Sequence, residues 1–282
     1  MNILAATGET LANGDTVHAV LTMPQPAGEH FFIGMIVVTT LLLLWSLFTW
    51  RTNGGLLFLV LLASFLACGM EGLAEYMAMN YHPEVGGHIA YRAWGMPVPV
   101  HVVLSYVLYF GVTGWGLLHA VQRGRSVASW WRLAAVGAAV VSVPDFINVN
   151  TDVWTYYGHQ TLVILNFPIT FIFCDIAAVF AFGAVLHLCL NHFTGGERLL
   201  TLIVAPLGLA MSWMAVCLPI GAALHSDAGP PLTAIAGCAS IAVSVAMIHA
   251  CIRYFVTVSG IQVVPSAHRV GSNAVAMAAG KT

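Results

Sequence analysis

Residues 56–75 read LLFLVLLASFLACGMEGLAE. Everything from Leu56 to Met70 is apolar or small, and then Glu71 and Glu75 follow one helical turn apart. An apolar run of this kind, extended to residue 78, has the roughly 20-residue length that crosses a bilayer core. Spacing of i, i+4 puts both carboxylates on one helix face. Only 7% of the chain is charged. A carboxylate within hydrocarbon is expensive, so such residues mark functional sites by default.

Six more segments have the same character. With the first they cover residues 31–50, 56–78, 98–120, 130–149, 165–190, 200–225 and 232–257, in a chain that is 59% hydrophobic. The fold expected is all-α and polytopic, with seven transmembrane helices over residues 31–258. Residues 1–30 read as an extracytoplasmic N-terminal segment, because they carry no Lys or Arg and no separate apolar core before a cleavage site. Residues 259–282 read as a flexible cytoplasmic tail. Arg51, Arg123, Arg125, Arg132, Arg198, Arg253, Arg269 and Lys281 fall on one side of this arrangement, and Arg92 alone falls on the other. The positive-inside rule then predicts an outer N-terminus, a cytoplasmic C-terminus and a multi-pass cell-membrane location.

Polar residues concentrate in the second to fifth segments and their outer loops. Glu71, Glu75 and Asp145 lie in the outer halves of outward-running segments, followed by Asn148, Asn150 and Asp152. His101 and Asp175 lie early in inward-running ones. The loops carry Tyr76, Tyr81, His82, His88, Arg92, Trp94, Trp154, Tyr156, Tyr157 and His159. A weak internal repeat links the two loops. An acid, a Tyr81-His82 or Tyr156-Tyr157 pair, Gly87-His88 or Gly158-His159, and Pro97 or Pro168 nine residues beyond the histidine recur in the same order. As a duplication, it would set Glu75 opposite Asp145.

Three acids in one layer point to a pocket. A carboxylic acid kept protonated in dry surroundings is a strong general acid for an apolar substrate. Glu71, Glu75 and Asp145 are therefore the expected catalytic residues, one giving a proton and another taking one. Arg92, His101, Asn148, Asn150, Tyr156, Tyr157, His159 and Asp175 are the expected substrate-binding residues. Asp175 reads equally as a deep member of the pocket or a helix–helix hydrogen bond. Arg92 reads equally as a surface arginine or a partner that keeps one carboxylate ionised. Most of the loop aromatics fit an interfacial belt.

His82, His88, His101 and His159 are candidate metal ligands beside the acids. No HxxxH or ExxH spacing places two ligands on one helix face, as di-iron sites usually do. The expectation is no metal and no cofactor. The six cysteines all lie in predicted spans without a CxxC, which suits buried apolar thiols. A retinal protein would need a lysine in the last span, and the sole lysine is Lys281. No P-loop, no GxGxxG opening a helix and no basic patch for nucleic acid is present, and no Gly/Pro-broken helix pair marks a transporter.

Thr155-Tyr156-Tyr157-Gly158 followed by Phe167-Pro168, after an acidic helix end at Asp145, resembles the second half of the avermectin-type membrane spirocyclase family. Glu71 to Pro97 resembles the first half more loosely. The resemblance spans residues 45–190. It implies a small polytopic enzyme that cyclises or dehydrates a lipophilic biosynthetic intermediate by acid catalysis. The expected function is thus a membrane cyclase or isomerase acting on a terpenoid or polyketide, with a lipophilic small molecule and membrane lipid as partners. The alternatives are a metal-dependent membrane oxidoreductase and a proton-coupled transporter.

Overall fold

The computed structural model describes residues 22–260. The N-terminal segment expected up to residue 21 and the tail expected from residue 261 lie outside the described residues. Among the described residues, seven helices are long and apolar enough to cross a membrane: Ala27–Phe48, Leu56–Ala78, Val100–Gln122, Val127–Asn150, Thr170–His192, Gly195–Leu224 and Pro230–Thr257. They are the first to seventh spans below. Their ends differ from the expected ones by at most five residues.

The larger shifts have local causes. The fifth span begins at Thr170, because Leu165 and Asn166 take positive φ (49° and 62°) and fold the apolar run 163–168 into a hairpin. The third span waits for Val100, since the Pro97 and Pro99 rings remove ladder donors and hold the chain extended. The sixth starts early, because Thr194 and Glu197 form a capping box over a 3₁₀ turn.

In lipid, every backbone donor needs a protein partner. Pro219 interrupts the sixth span, and the next free amide, Ile220 N–H, donates to Ser240 Oγ of the seventh at 3.1 Å. Close approaches use small residues, as helix pairs in membranes do. A Cβ on Gly114 of the third span would lie 2.8 Å from Leu186 of the fifth, and one on Gly183 would lie 2.6 Å from Leu117. The fifth span is the most enclosed and the first the least.

The order of packing leaves one asymmetry. The third span packs on the first, second and fifth, whereas the fourth packs mainly on the fifth and seventh. The sixth span fills the space between the second and fifth. Among the described residues, the third and fourth spans share few close contacts.

The loops joining the second to the third span and the fourth to the fifth are short β structures that cap one end of the bundle. Strand β1 (Asn80–Tyr81) of the first loop pairs antiparallel with β4 (Thr155–Tyr156) of the second. Each loop then forms a hairpin that leads into the next span, β2 (Ile89–Ala93) with β3 (Met96–Pro99), and β5 (Val163–Ile164) with β6 (Phe167–Pro168). Gly87-His88 and Gly158-His159 both stand between the shared strand and the hairpin. The loops are tied further by Tyr157 N–H to the Met79 carbonyl and by Gln160 Nε2 to the Ala78 carbonyl, both 2.9 Å.

Candidate active site

Beneath this cap lies a cavity of about 510 Å³, lined by residues from the first six spans and both loops. Its volume falls in the range that encloses a small organic molecule, about 300–1,000 Å³. Glu71, Glu75, Asp145 and Asp175 all line it, as do His82, His101, Asn148 and Tyr156. Most of the remaining lining is apolar or aromatic, including Phe31, Leu108, Phe110, Val140 and Phe171. Among the described residues, no lysine or arginine lines it.

Local structure aims these groups. The second span tightens into a 3₁₀ turn over Cys68–Met70 just before Glu71. The Tyr91 hydroxyl, from β2, donates to the Cys68 carbonyl at that turn. A Cβ on Gly72 would lie 2.6 Å from the Ala93 side chain, so β2 presses directly on the acid-bearing turn. Met79 (φ 50°) then reverses the chain. The reversal brings His82 back until Nε2 lies 3.2 Å from Glu75 Oε1. In the third span, residues 107–112 form a π-helical segment. Extra width of this kind recurs at functional sites. Here it lets Tyr106, Tyr109, Phe110 and Thr113 line the cavity alongside Ser105 and Val112. Pro144 breaks the regular ladder of the fourth span one residue before Asp145.

The carboxyls have different surroundings. Glu71 accepts a 2.5 Å hydrogen bond from the Tyr106 hydroxyl. Asp175 accepts one of 2.7 Å from Trp213 Nε1 of the sixth span. Asp145 is partly exposed and lies within electrostatic reach of Glu71 and Asp175. Burial, and then these same three acids, push the Tyr156 hydroxyl well above its usual range, so it stays a neutral donor. Glu75, His82 and His101 are at most 2% exposed. Neither oxygen of Glu75 and neither ring nitrogen of His101 makes a hydrogen bond. The His82 ring has the Val153 backbone beside it, too poorly aligned for a regular hydrogen bond. Burial, and secondarily the His101 imidazole, bring His82 down to about 3, so its ring is neutral. Glu71, Glu75 and His82 each offer a ligand atom within 4.8 Å of the others.

Of the residues expected from the sequence, the cavity thus gathers Glu71, Glu75, Asp145, His101, Asn148, Tyr156 and Asp175. Arg92 lies outside it, paired with Glu84 on the first loop. Asn150 ties the second loop, donating to the Phe146 and Leu165 carbonyls at 2.7 and 2.8 Å. Tyr157 is buried beneath the loops, and His159 is half-buried on them, both off the cavity wall. The sequence reading weighed His82 only as one of four histidines beside the acids and did not single out Tyr106, Tyr109 or Trp213. The sixth span, which holds Trp213, carries little other polar signal.

No family model matches this chain, and no curated protein or solved structure matches it either.

Proposed function

We propose that this protein is a membrane-embedded enzyme that cyclises, isomerises or dehydrates a lipophilic small molecule by proton transfer. The supporting observation is the convergence of four carboxyls from three spans on one largely apolar cavity. An apolar wall excludes water and strengthens each polar interaction inside it. Asp145 is the proton donor in this reading. It lines the cavity and, among the described residues, accepts no hydrogen bond, unlike Glu71 and Asp175. Asp175, whose Oδ1 already accepts the Trp213 N–H, is an acceptor by its surroundings and serves as the base. Protonation of an alkene, epoxide or hydroxyl at one carbon and removal of a proton from another leave the substrate's oxidation state unchanged. Tyr106, Tyr109, Phe110 and Trp154 supply aromatic faces for positive charge that develops between the two events.

Access from lipid fits this substrate class. Val140 is 66% exposed and Val112 is 41% exposed, yet both line the cavity. They would form the rim of a lateral entrance between the third and fourth spans, which share few close contacts. By the distribution of arginines the capped end faces outward, the N-terminus is outside and the C-terminus is cytoplasmic, with the cell membrane as the location. The resemblance of residues 45–190 to membrane spirocyclases supports the same reaction class. Tyr156, in the segment that carries it, is on the cavity wall.

Comparing lipid extracts of cells that make the wild-type chain with cells that make Asp145→Asn tests the reading. The variant should accumulate a precursor that is an isomer of the wild-type product or differs from it by one water. A precursor that differs by two hydrogens or an oxygen atom would instead establish an oxidoreductase. Unchanged product from a normally folded variant would remove Asp145 from the mechanism.

A further inference from the structure

Glu75, His82 and His101 are buried polar side chains beneath the cap. Leaving a buried polar group unpaired is costly, more so for a charged one. Three such side chains side by side call for a species that completes them. We propose that Glu71, Glu75 and His82 bind a divalent first-row transition-metal ion, with Zn²⁺ the best match. This goes beyond the acid–base reading and does not require it.

Three features carry the assignment. The first is geometry. Ligands about 2.0–2.1 Å from a tetrahedral ion stand roughly 3.3 Å apart. The Glu75 Oε1 to His82 Nε2 separation is 3.2 Å, and the pair is not aligned as a hydrogen bond. All three ligand atoms fit within 4.8 Å of one another, so small side-chain rotations close the set.

The second feature is charge. Two carboxylates can balance a doubly charged ion, and among the described residues no lysine or arginine lines the cavity to do so. A neutral site of this kind lowers the cost of placing carboxylates at membrane depth. An imidazole ligand favours zinc, iron or manganese over magnesium and calcium, which prefer oxygen alone.

The third feature is support around the ligands. Glu71 is oriented by the Tyr106 hydroxyl through one oxygen, which leaves the other for the ion. His101 faces the same space, its ring 6.0 Å from that of His82. Three protein ligands leave a coordination position open towards the cavity, the pattern of catalytic rather than structural zinc.

The experiment uses the full chain, purified in nanodiscs, stripped with a chelator and titrated with Zn²⁺, Mn²⁺ and Mg²⁺. One equivalent of Zn²⁺ or Mn²⁺ should bind, with Mg²⁺ at least about 100-fold weaker. Glu75→Gln and His82→Gln should each weaken Zn²⁺ at least about 100-fold, more than the about 10–100-fold lost with groups that only orient ligands. Asp145→Asn should bind Zn²⁺ as the wild type does. Absence of stoichiometric binding overturns the proposal, and so does unchanged binding in both ligand variants. Should those variants not fold, the wild type decides alone. Zn²⁺ must raise its unfolding temperature reversibly, and no rise overturns the site. A wild-type chain without metal whose Asp145→Asn variant is inactive removes the metal but leaves the acid. Full activity in Asp145→Asn with intact Zn²⁺ binding removes the acid but leaves the metal.

Discussion

On one side of the cavity, Asp175 takes its hydrogen bond from Trp213 and Asp145 keeps part of its surface open. On the other, Glu75 and His101 are sealed to 1% exposure with no hydrogen bond, and His82 stands against them. Both sides belong to the same cavity and both carry carboxyl groups. They differ in what completes them. Asp175 is completed by a side chain of the protein itself, whereas Glu75 and His101 have no hydrogen-bond partner among the described residues, and the proposed ion would complete that side.

The sharpest way to break this comparison is Glu75→Leu, which swaps the sealed carboxyl for an apolar side chain of similar size. In chelator, the variant should be at least as stable as the wild type, because it removes an unsatisfied group worth about 1–3 kcal/mol. In Zn²⁺ at about 100 times the dissociation constant, the wild type alone should gain about 2.7 kcal/mol. The order of unfolding temperatures in nanodiscs should therefore reverse with metal. A variant less stable than the wild type under both conditions would mean that the protein itself satisfies Glu75.

Trp213→Phe probes the self-completed side. It leaves Asp175 Oδ1 without its donor, at a cost of about 1–3 kcal/mol in stability. Turnover should fall about 10-fold, because the acceptor is disordered rather than deleted, while Zn²⁺ affinity should not move. A loss of Zn²⁺ binding in this variant would merge the two sides into one network.

The positions of these residues show how far the sequence could be read. Hydropathy and an acid pair one turn apart were enough to locate seven spans and the layer that holds Glu71, Glu75, Asp145 and Asp175. Both are periodic, local signals. The Glu75–His82 contact is neither. It depends on the αL reversal at Met79, where no glycine marks the turn. A search for ligands on one helix face passes over it for that reason. Tyr106, Tyr109 and Phe110 reach the cavity together only because the third span widens at residues 107–112, a change of register that regular helical periodicity does not contain. Arg92 was open to two readings, a surface arginine or a partner of the acids, and its contact with Glu84, eight residues earlier, favours the first.

A smaller effect is expected at Val140, an exposed residue of the cavity lining on the span that carries Asp145. Val140→Trp should partly fill the rim between the third and fourth spans without touching a carboxyl. If substrate enters there, KM should rise several-fold with kcat nearly unchanged, the signature of lost access rather than lost chemistry. Tryptophan at Val136, also exposed on the fourth span but not on the cavity wall, should leave both constants as they are. Equal effects at the two positions would place the entrance elsewhere.

The smallest effect belongs to Arg92, which lies on neither side of the cavity. Its guanidinium pairs with Glu84 at a position where its own side chain is 45% exposed. Exposed pairs of this kind contribute about 0–1 kcal/mol, because solvent screens them and ordering two long side chains offsets the gain. Arg92→Gln should therefore shift stability by less than about 1 kcal/mol and leave turnover and Zn²⁺ affinity unchanged. The result matters for the comparison, because both sides of the cavity are taken to be free of cationic side chains. A large fall in turnover with normal folding would show that the Arg92 charge reaches the carboxyls through the cap. In that case the charge balance that argues for a divalent ion at Glu71 and Glu75 would need the arginine included.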